Sequence, residues 1–127
     1  MGRISVDLSK GIIVLSALLE GKCFTVARLA LDTGASNVMI PWKMAIALGL
    51  HPEISSERIE TVTPSGIEIV PVVYIPLIHV LGEELRNVKA VVHDLPEKSY
   101  VDGLLGLSFL KQFKVTLDFK SGYIEIN

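Results

Sequence analysis

The sequence has one cysteine, one tryptophan, three tyrosines and four phenylalanines in 127 residues, and its 12 basic and 14 acidic side chains leave a formal charge of only -2. Each scarcity removes a class of function. A lone Cys23 builds neither a disulfide framework nor a cysteine-type zinc site; packing is the role expected of it, in a reducing interior. The near-neutral charge, without a Lys/Arg cluster and with few aromatics to stack on bases, gives no electrostatic footprint for nucleic acid. No glycine-rich phosphate loop occurs, and His51, His79 and His93 lie far apart without the i, i+4 spacing of metal ligands, so neither cofactor nor metal is expected. The longest early apolar run, "GIIVLSALL" at 11–19, is too short to cross a bilayer as a helix. Val6 stands where a myristoylation motif needs Ser or Thr.

What is present is half hydrophobic and finely punctuated. No linker, repeat or low-complexity tract divides the chain, and its length suits one domain over 1–127. "EGK" at 20–22 is a Gly-centred turn, and the alternating "CFTVARLAL" after it reads as the second arm of a β-hairpin rather than the sequel to a signal peptide. Glycines and prolines separate short apolar segments throughout, giving strands at 4–8, 12–19, 24–31, 37–40, 58–63, 67–80, 85–93, 114–118 and 123–126. Pro71 and Pro76 fall within the longest and place it at an edge or a bend. "PWKMAIALGL" at 41–50 carries the Pro-first, Gly-last order of a short helix, with Trp42 packing at its start, and 108–113 suits one or two turns. Many short strands and few helices imply a small barrel or sandwich.

Within "LALDTGASNVMIPW", at 29–42, Asp32 ends an apolar run. A carboxylate at the end of a buried strand must be hydrogen-bonded or share a proton. Gly34 permits a tight turn that aims its N–H at that carboxylate, and Thr33 supplies a hydroxyl for backbone. Taken alone, "DTG" is also an ordinary turn, since all three residues favour turns.

The surroundings extend the pattern. "LALDTGAS" is followed by an apolar strand and "PWKMAIALGL", and much later by "VDGLLGLSFLKQFKVTLDFKSGYIEI". In these segments the chain resembles the retropepsin-like aspartic proteases, single-domain relatives of the retroviral proteases and pepsin. The resemblance implies a mainly β fold, a small closed acid-protease barrel with one or two short helices. It implies that Asp32 is the catalytic carboxylate, that the Thr33 hydroxyl ties two active-site loops together, and that the Gly34 N–H serves the carboxylate. Leu104, Leu105 and Gly106 match the two apolar residues and glycine that support the catalytic loop. Ala35 matches the alanine of the retroviral group. "TVTPSGIEI" at 61–69 would be the flap over the cleft, with Ser65 and Gly66 near its tip. Substrate pockets are expected near Ala35, the flap around Ile67, and Leu104 with Leu105.

Aspartic protease chemistry uses two neighbouring carboxylates, one activating a water and the other protonating the scissile carbonyl. With a single DTG, the second carboxylate must come from another copy, so a twofold homodimer acting on a peptide or unfolded protein is expected. Asp102 in "VDG" lacks the preceding apolar run and reads as the start of the supporting stretch; Asp94 and Asp118 read as turn or strand-end residues. The terminal "YIEIN" alternates like a strand, available either to an interleaved dimer interface or to its own chain through the "KSG" turn. "GLSFL" around Ser108 is no nucleophile elbow, because Leu110 replaces the last glycine. The alternative from another class is a non-catalytic dimeric module that binds a peptide or protein on the same fold. The cytoplasm is the expected location, with no membrane association.

Overall fold

The computed structural model describes residues 2–63 and 66–127. Its strands are β1 (Gly2–Ser5), β2 (Val14–Glu20), β3 (Phe24–Leu31), β4 (Val38–Ile40), β5 (Arg58–Thr63), β6 (Gly66–Val80), β7 (Glu83–Val92), β8 (Gly103–Leu105), β9 (Val115–Asp118) and β10 (Tyr123–Ile126), with helices α1 (Trp42–Ala47) and α2 (Leu107–Leu110). The mainly β expectation holds. No helix among the described residues is long and apolar enough to cross a membrane.

β2 and β3 form the expected hairpin, in register from Val14 opposite Ala30 to Glu20 opposite Phe24. Strict alternation turns Leu15, Ala17, Leu19, Ala27 and Leu29 inward, where each is at most 2% exposed. From this hairpin the order runs β2-β3-β8-β4-β7-β6-β5, and β6 also pairs with β2, so six of the strands form a ring with β5 projecting from it. The principal core fills that ring and includes Ile40, Ile75, Ile78, Leu105 and Phe109. A smaller cluster of Met39, Val70, Val72 and Val91 lies beside it.

The long segment containing Pro71 and Pro76 is one continuous strand, neither broken nor confined to an edge. It changes partners along its length, pairing with β5 up to Pro71, then with β7 from Val72, and with β2 from Leu77. Pro76 falls where the β6–β7 ladder has no paired position, across from Asn87 at φ 55. The missing N–H therefore costs no ladder bond. A two-residue turn, Leu81 and Gly82, closes β6 onto β7 with φ of 48 and 80, the doubly positive geometry that matches the twist of the strands.

α1 is shorter than the sequence predicted. Pro41 stays extended at φ -73 and ψ 158, and the helix ends before Gly49 at φ 77. Its first N–H, from Trp42, is capped by Asp94 Oδ1 at 2.9 Å. β10 lies between β1 and β9 in a separate three-stranded sheet, so "YIEIN" pairs within its own chain. Cys23 departs from expectation: it sits exposed in the β2–β3 turn, its Sγ 3.0 Å from the Ala47 carbonyl oxygen, rather than packed in a strand.

Candidate functional site

Asp32 leaves β3 at the point where β8 lies alongside, and its backbone N–H donates to the Leu105 carbonyl at 3.1 Å. The half-buried side chain accepts the Gly34 N–H on Oδ1 at 2.9 Å, while the Ala35 N–H returns to the Asp32 carbonyl at 3.2 Å. One strand end and one tight turn therefore fix the carboxylate.

The "DGLLGLS" stretch cradles this turn from beneath. Leu107 N–H donates to Ala35 O at 2.8 Å and Ser108 N–H to Ser36 O at 3.0 Å. Ser108 Oγ accepts the Val38 N–H at 2.8 Å and donates to Lys89 O at 2.7 Å, tying β4 to β7. A Cβ on Gly106 would overlap the Asn37 carbonyl oxygen and stand 2.7 Å from that of Ala35, so only glycine allows the loop to seat this closely. Asp102 has a structural position. Its Oδ2 accepts the Arg28 N–H at 2.8 Å, and its own N–H donates to the Arg28 carbonyl at 2.8 Å.

Above Asp32 lies a cavity of about 340 Å³ that it shares with Gly34, Ala35, Asn37 and Leu104, and with Ile59 to Val62 of β5. Met39, Val91, Leu104 and Ile59 give it an apolar floor, and Asn37 and Thr61 a polar rim. β5 and β6 form the overhanging hairpin, joined in register from Arg58 opposite Pro71 to Thr63 opposite Gly66. Gly66 has φ 119 at the turn.

The predicted site residues separate by position. Asp32, Gly34, Ala35 and Leu104 line one cavity. Thr33 is exposed beside it, and among the described residues no hydrogen bond engages its hydroxyl. Leu105 is fully buried in the principal core and supports the loop without facing the cavity. Ile67 is 69% exposed on the hairpin face that also carries Val62, opposite to the face of Ile59 and Val70. Ser65 lies outside the described residues. Met39, Ile59 and Val91 line the cavity without having been singled out from sequence; the inward parity of Ile59 in "RIETVT" is the signal that could have found it.

The histidines make separate acidic contacts. His79 lies 2.8 Å from Glu20 and 3.2 Å from Glu84, His93 3.2 Å from Glu68, and His51 3.3 Å from Glu53. No group of three metal-type ligands occurs among the described residues. At the base of the hairpin the Tyr74 hydroxyl donates to Glu57 at 2.9 Å and Lys89 lies 3.2 Å away, and these partners hold the Glu57 carboxyl below its usual range.

A sequence model of the family described as "gag-polyprotein putative aspartyl protease" matches residues 20–112, which contain the Asp32 turn, the hairpin and the cradle. The chain belongs to this family. Its aspartyl protease fold is also seen in the crystal structure of a retropepsin-like aspartic protease from Rickettsia conorii, which superposes with a TM-score of 0.72 at 22% identity, over 100% of this chain and 99% of that one. No curated protein matches the chain. Within the aspartyl protease pattern, Asp32 occupies the only DTG of the sequence.

Proposed function

We propose that this aspartyl protease family member is an endopeptidase whose working unit is a homodimer, each copy giving one Asp32 to a shared pair. The observation that carries this reading is the placement of a single, half-buried, backbone-held carboxylate at the open side of a cavity with an apolar floor. One such group cannot act as base and acid in the same step. Two brought together hold one proton between them, because like charges in contact resist joint ionisation. The ionised member takes a proton from water as it attacks the peptide carbonyl; the protonated member gives its proton to the carbonyl oxygen. Collapse of the resulting tetrahedral species breaks the C–N bond as the carboxyl that took the water's proton passes it to the amine. The now ionised partner takes a hydroxyl proton from the new acid, so the pair again holds one proton. The Gly34 N–H keeps the Asp32 oxygen oriented throughout, and the exposed Thr33 hydroxyl is free to bond across to the other loop.

An extended peptide suits the space between the floor and the β5–β6 hairpin, with strand-like backbone bonds and an apolar side chain over Met39, Val91 and Leu104. The same reading treats 1–127 as one domain, needs no cofactor, and takes the cytoplasm as its setting, which the exposed, unpaired Cys23 thiol suits. The test is cleavage of an unfolded protein and a mixed peptide library from acid to neutral pH, comparing wild type with Asp32→Asn at matched dimer content. Cleavage by wild type alone, with apolar residues beside the cut, is expected. Folded dimers that bind peptide but never cut would replace this reading with that of a binding module.

A further inference from the structure

β6 and β7 part at one end. Their ladder reaches Val72 opposite Val91; beyond that pair β6 runs on with β5 to Gly66, while β7 stays with β4, pairing Val92 with Ile40 and sending the His93 N–H to the Ile40 carbonyl at 3.0 Å. Between the diverging strands lies a recess of about 420 Å³, with Trp42, Arg58, Glu68, Val70, Val92 and His93 in its lining. The fork is therefore open rather than filled by a packed core. A side-chain contact bridges it: His93 Nδ1 lies 3.2 Å from Glu68 Oε2, with the two side chains 26% and 43% exposed. We propose that this contact is a latch that sets the height of the β5–β6 hairpin above the Asp32 cavity. Its effect on peptide cleavage rests on the endopeptidase reading above; its effect on the hairpin does not.

Strand parity puts both groups on one face. Val72 and Val91 stand opposite each other in the smaller cluster, and Val91 belongs to the cavity floor. Counting in twos from that pair leads to Val70 and Glu68 along β6 and to His93 just past β7, all turned to the face of the two valines. What holds each partner differs. His93 is fixed to the body, because its N–H is bonded to Ile40 O and the Asp94 that follows caps α1 through the Trp42 N–H at 2.9 Å. Glu68 belongs to the hairpin, four residues before Val72, or about 13 Å out at roughly 3.3 Å per residue. The root of the hairpin is held separately, by the Val72 N–H on the Glu57 carbonyl at 2.9 Å. That bond lies at the pivot and resists tilting little; the Glu68 contact acts at the end of a long lever. The Nδ1–H can donate to the carboxylate from a neutral ring or from a protonated one. Neither residue lines the cavity with Asp32, so both are positioning residues.

The experiment follows amide exchange of the full chain by mass spectrometry at one pH and one protein concentration, with peptide cleavage in parallel. Glu68→Ala and His93→Ala each remove one side of the contact, and the double variant removes both. Glu84→Ala is the control: it breaks a contact of the same kind and length, His79 Nδ1 to Glu84 Oε2 at 3.2 Å, at the far end of the same two strands. Losing a partly exposed pair should quicken exchange over 58–63 and 66–71 by about two- to fivefold in each single variant, while β2 and β3 exchange as in wild type. The double variant should match the singles, since one contact cannot be lost twice. KM for a peptide should rise by about two- to fivefold with kcat within about twofold of wild type. Unchanged hairpin exchange, additive effects in the double variant, an equal effect of Glu84→Ala on the hairpin, acceleration that spreads to β2 and β3, or a fall in kcat at constant KM overturns the proposal. If the hairpin quickens as expected but wild type cuts no peptide, the latch stands and the endopeptidase reading falls; a cutting enzyme whose hairpin ignores both substitutions does the reverse.

Discussion

Replacing Gly103 by alanine tests how the Asp32 turn is held. Gly103 opens β8, paired with Leu29 of β3, and β8 runs on between β3 and β4. A Cβ there would overlap the Met39 carbonyl oxygen, stand 2.9 Å from its carbon and press Leu29 Cδ2 at 3.3 Å. The obstruction is backbone, so no rotamer relieves it and the strands must part. Overpacking a close-fitting core costs about 1–3 kcal/mol. Parting the strands also strains the Asp32 N–H to Leu105 O bond and the Arg28–Asp102 pair, at about 1 kcal/mol for each bond lost. With three such bonds the total of about 4–6 kcal/mol lowers the unfolding midpoint by about 16–24 °C in a chain of this length. Gly11→Ala is the comparison: φ is 75 but nothing lies within 4 Å, so only the left-handed cost of about 1–2 kcal/mol applies. Thermal unfolding of both variants at one protein concentration, to hold association constant, gives the answer. If Gly103→Ala loses no more than Gly11→Ala, β8 is not wedged between its neighbours and the account of the cradle is wrong.

Ser108→Ala removes the link between Val38 N–H and Lys89 O and should destabilise by about 1–3 kcal/mol, read from denaturant midpoints; a neutral result would show that water replaces the hydroxyl. Asp102→Asn retains an oxygen to accept the Arg28 N–H and should keep peptidase activity within about threefold, whereas complete loss in a folded dimer would make Asp102 part of the chemistry. Tyr74→Phe removes the first cause of the lowered Glu57 carboxyl, so that carboxyl should titrate at higher pH, with Lys89 still holding it partly down; carbon NMR titration reads this directly, and an unchanged curve refutes the assignment. Because Glu57 is lowered in the folded chain, its contribution to stability is present above the ordinary carboxylate range and fades as pH falls through the lowered value. Tyr74 is raised by the same contact, so its contribution is present below the ordinary tyrosine value and fades as pH rises through the raised one.

Strands whose alternation faces one core were legible from sequence: β3, β5 and β10 have the boundaries that the pattern predicts. β8 was not, because the three residues Gly103, Leu104 and Leu105 are too few to carry a period, and they become a strand only by lying between β3 and β4. The prolines of β6 misdirected because their effect depends on which partner each faces, a property of the whole sheet. The Asp32 turn was legible because glycine and carboxylate answer each other within three residues. The cavity floor was less so: Met39 and Val91 come from strands distant in sequence, and Leu105 turns to the core while Leu104 beside it turns to the cavity. Cys23 shows the reverse error, an apolar-looking residue that the turn leaves in solvent.

The parallel pairing of β3 with β8 sets a clock on synthesis. Asp32 emerges early, yet the carbonyl that receives its N–H, from Leu105, follows roughly seventy residues later. At about 5–20 residues per second that interval is about 4–15 seconds, during which the aspartate has no finished turn to occupy. Nascent chains halted before Gly103 should therefore be cut by added protease at the end of β3, and chains released whole should resist; equal resistance would show that the turn forms without its support. In this order of assembly the last third of the chain completes the turn that the first third begins.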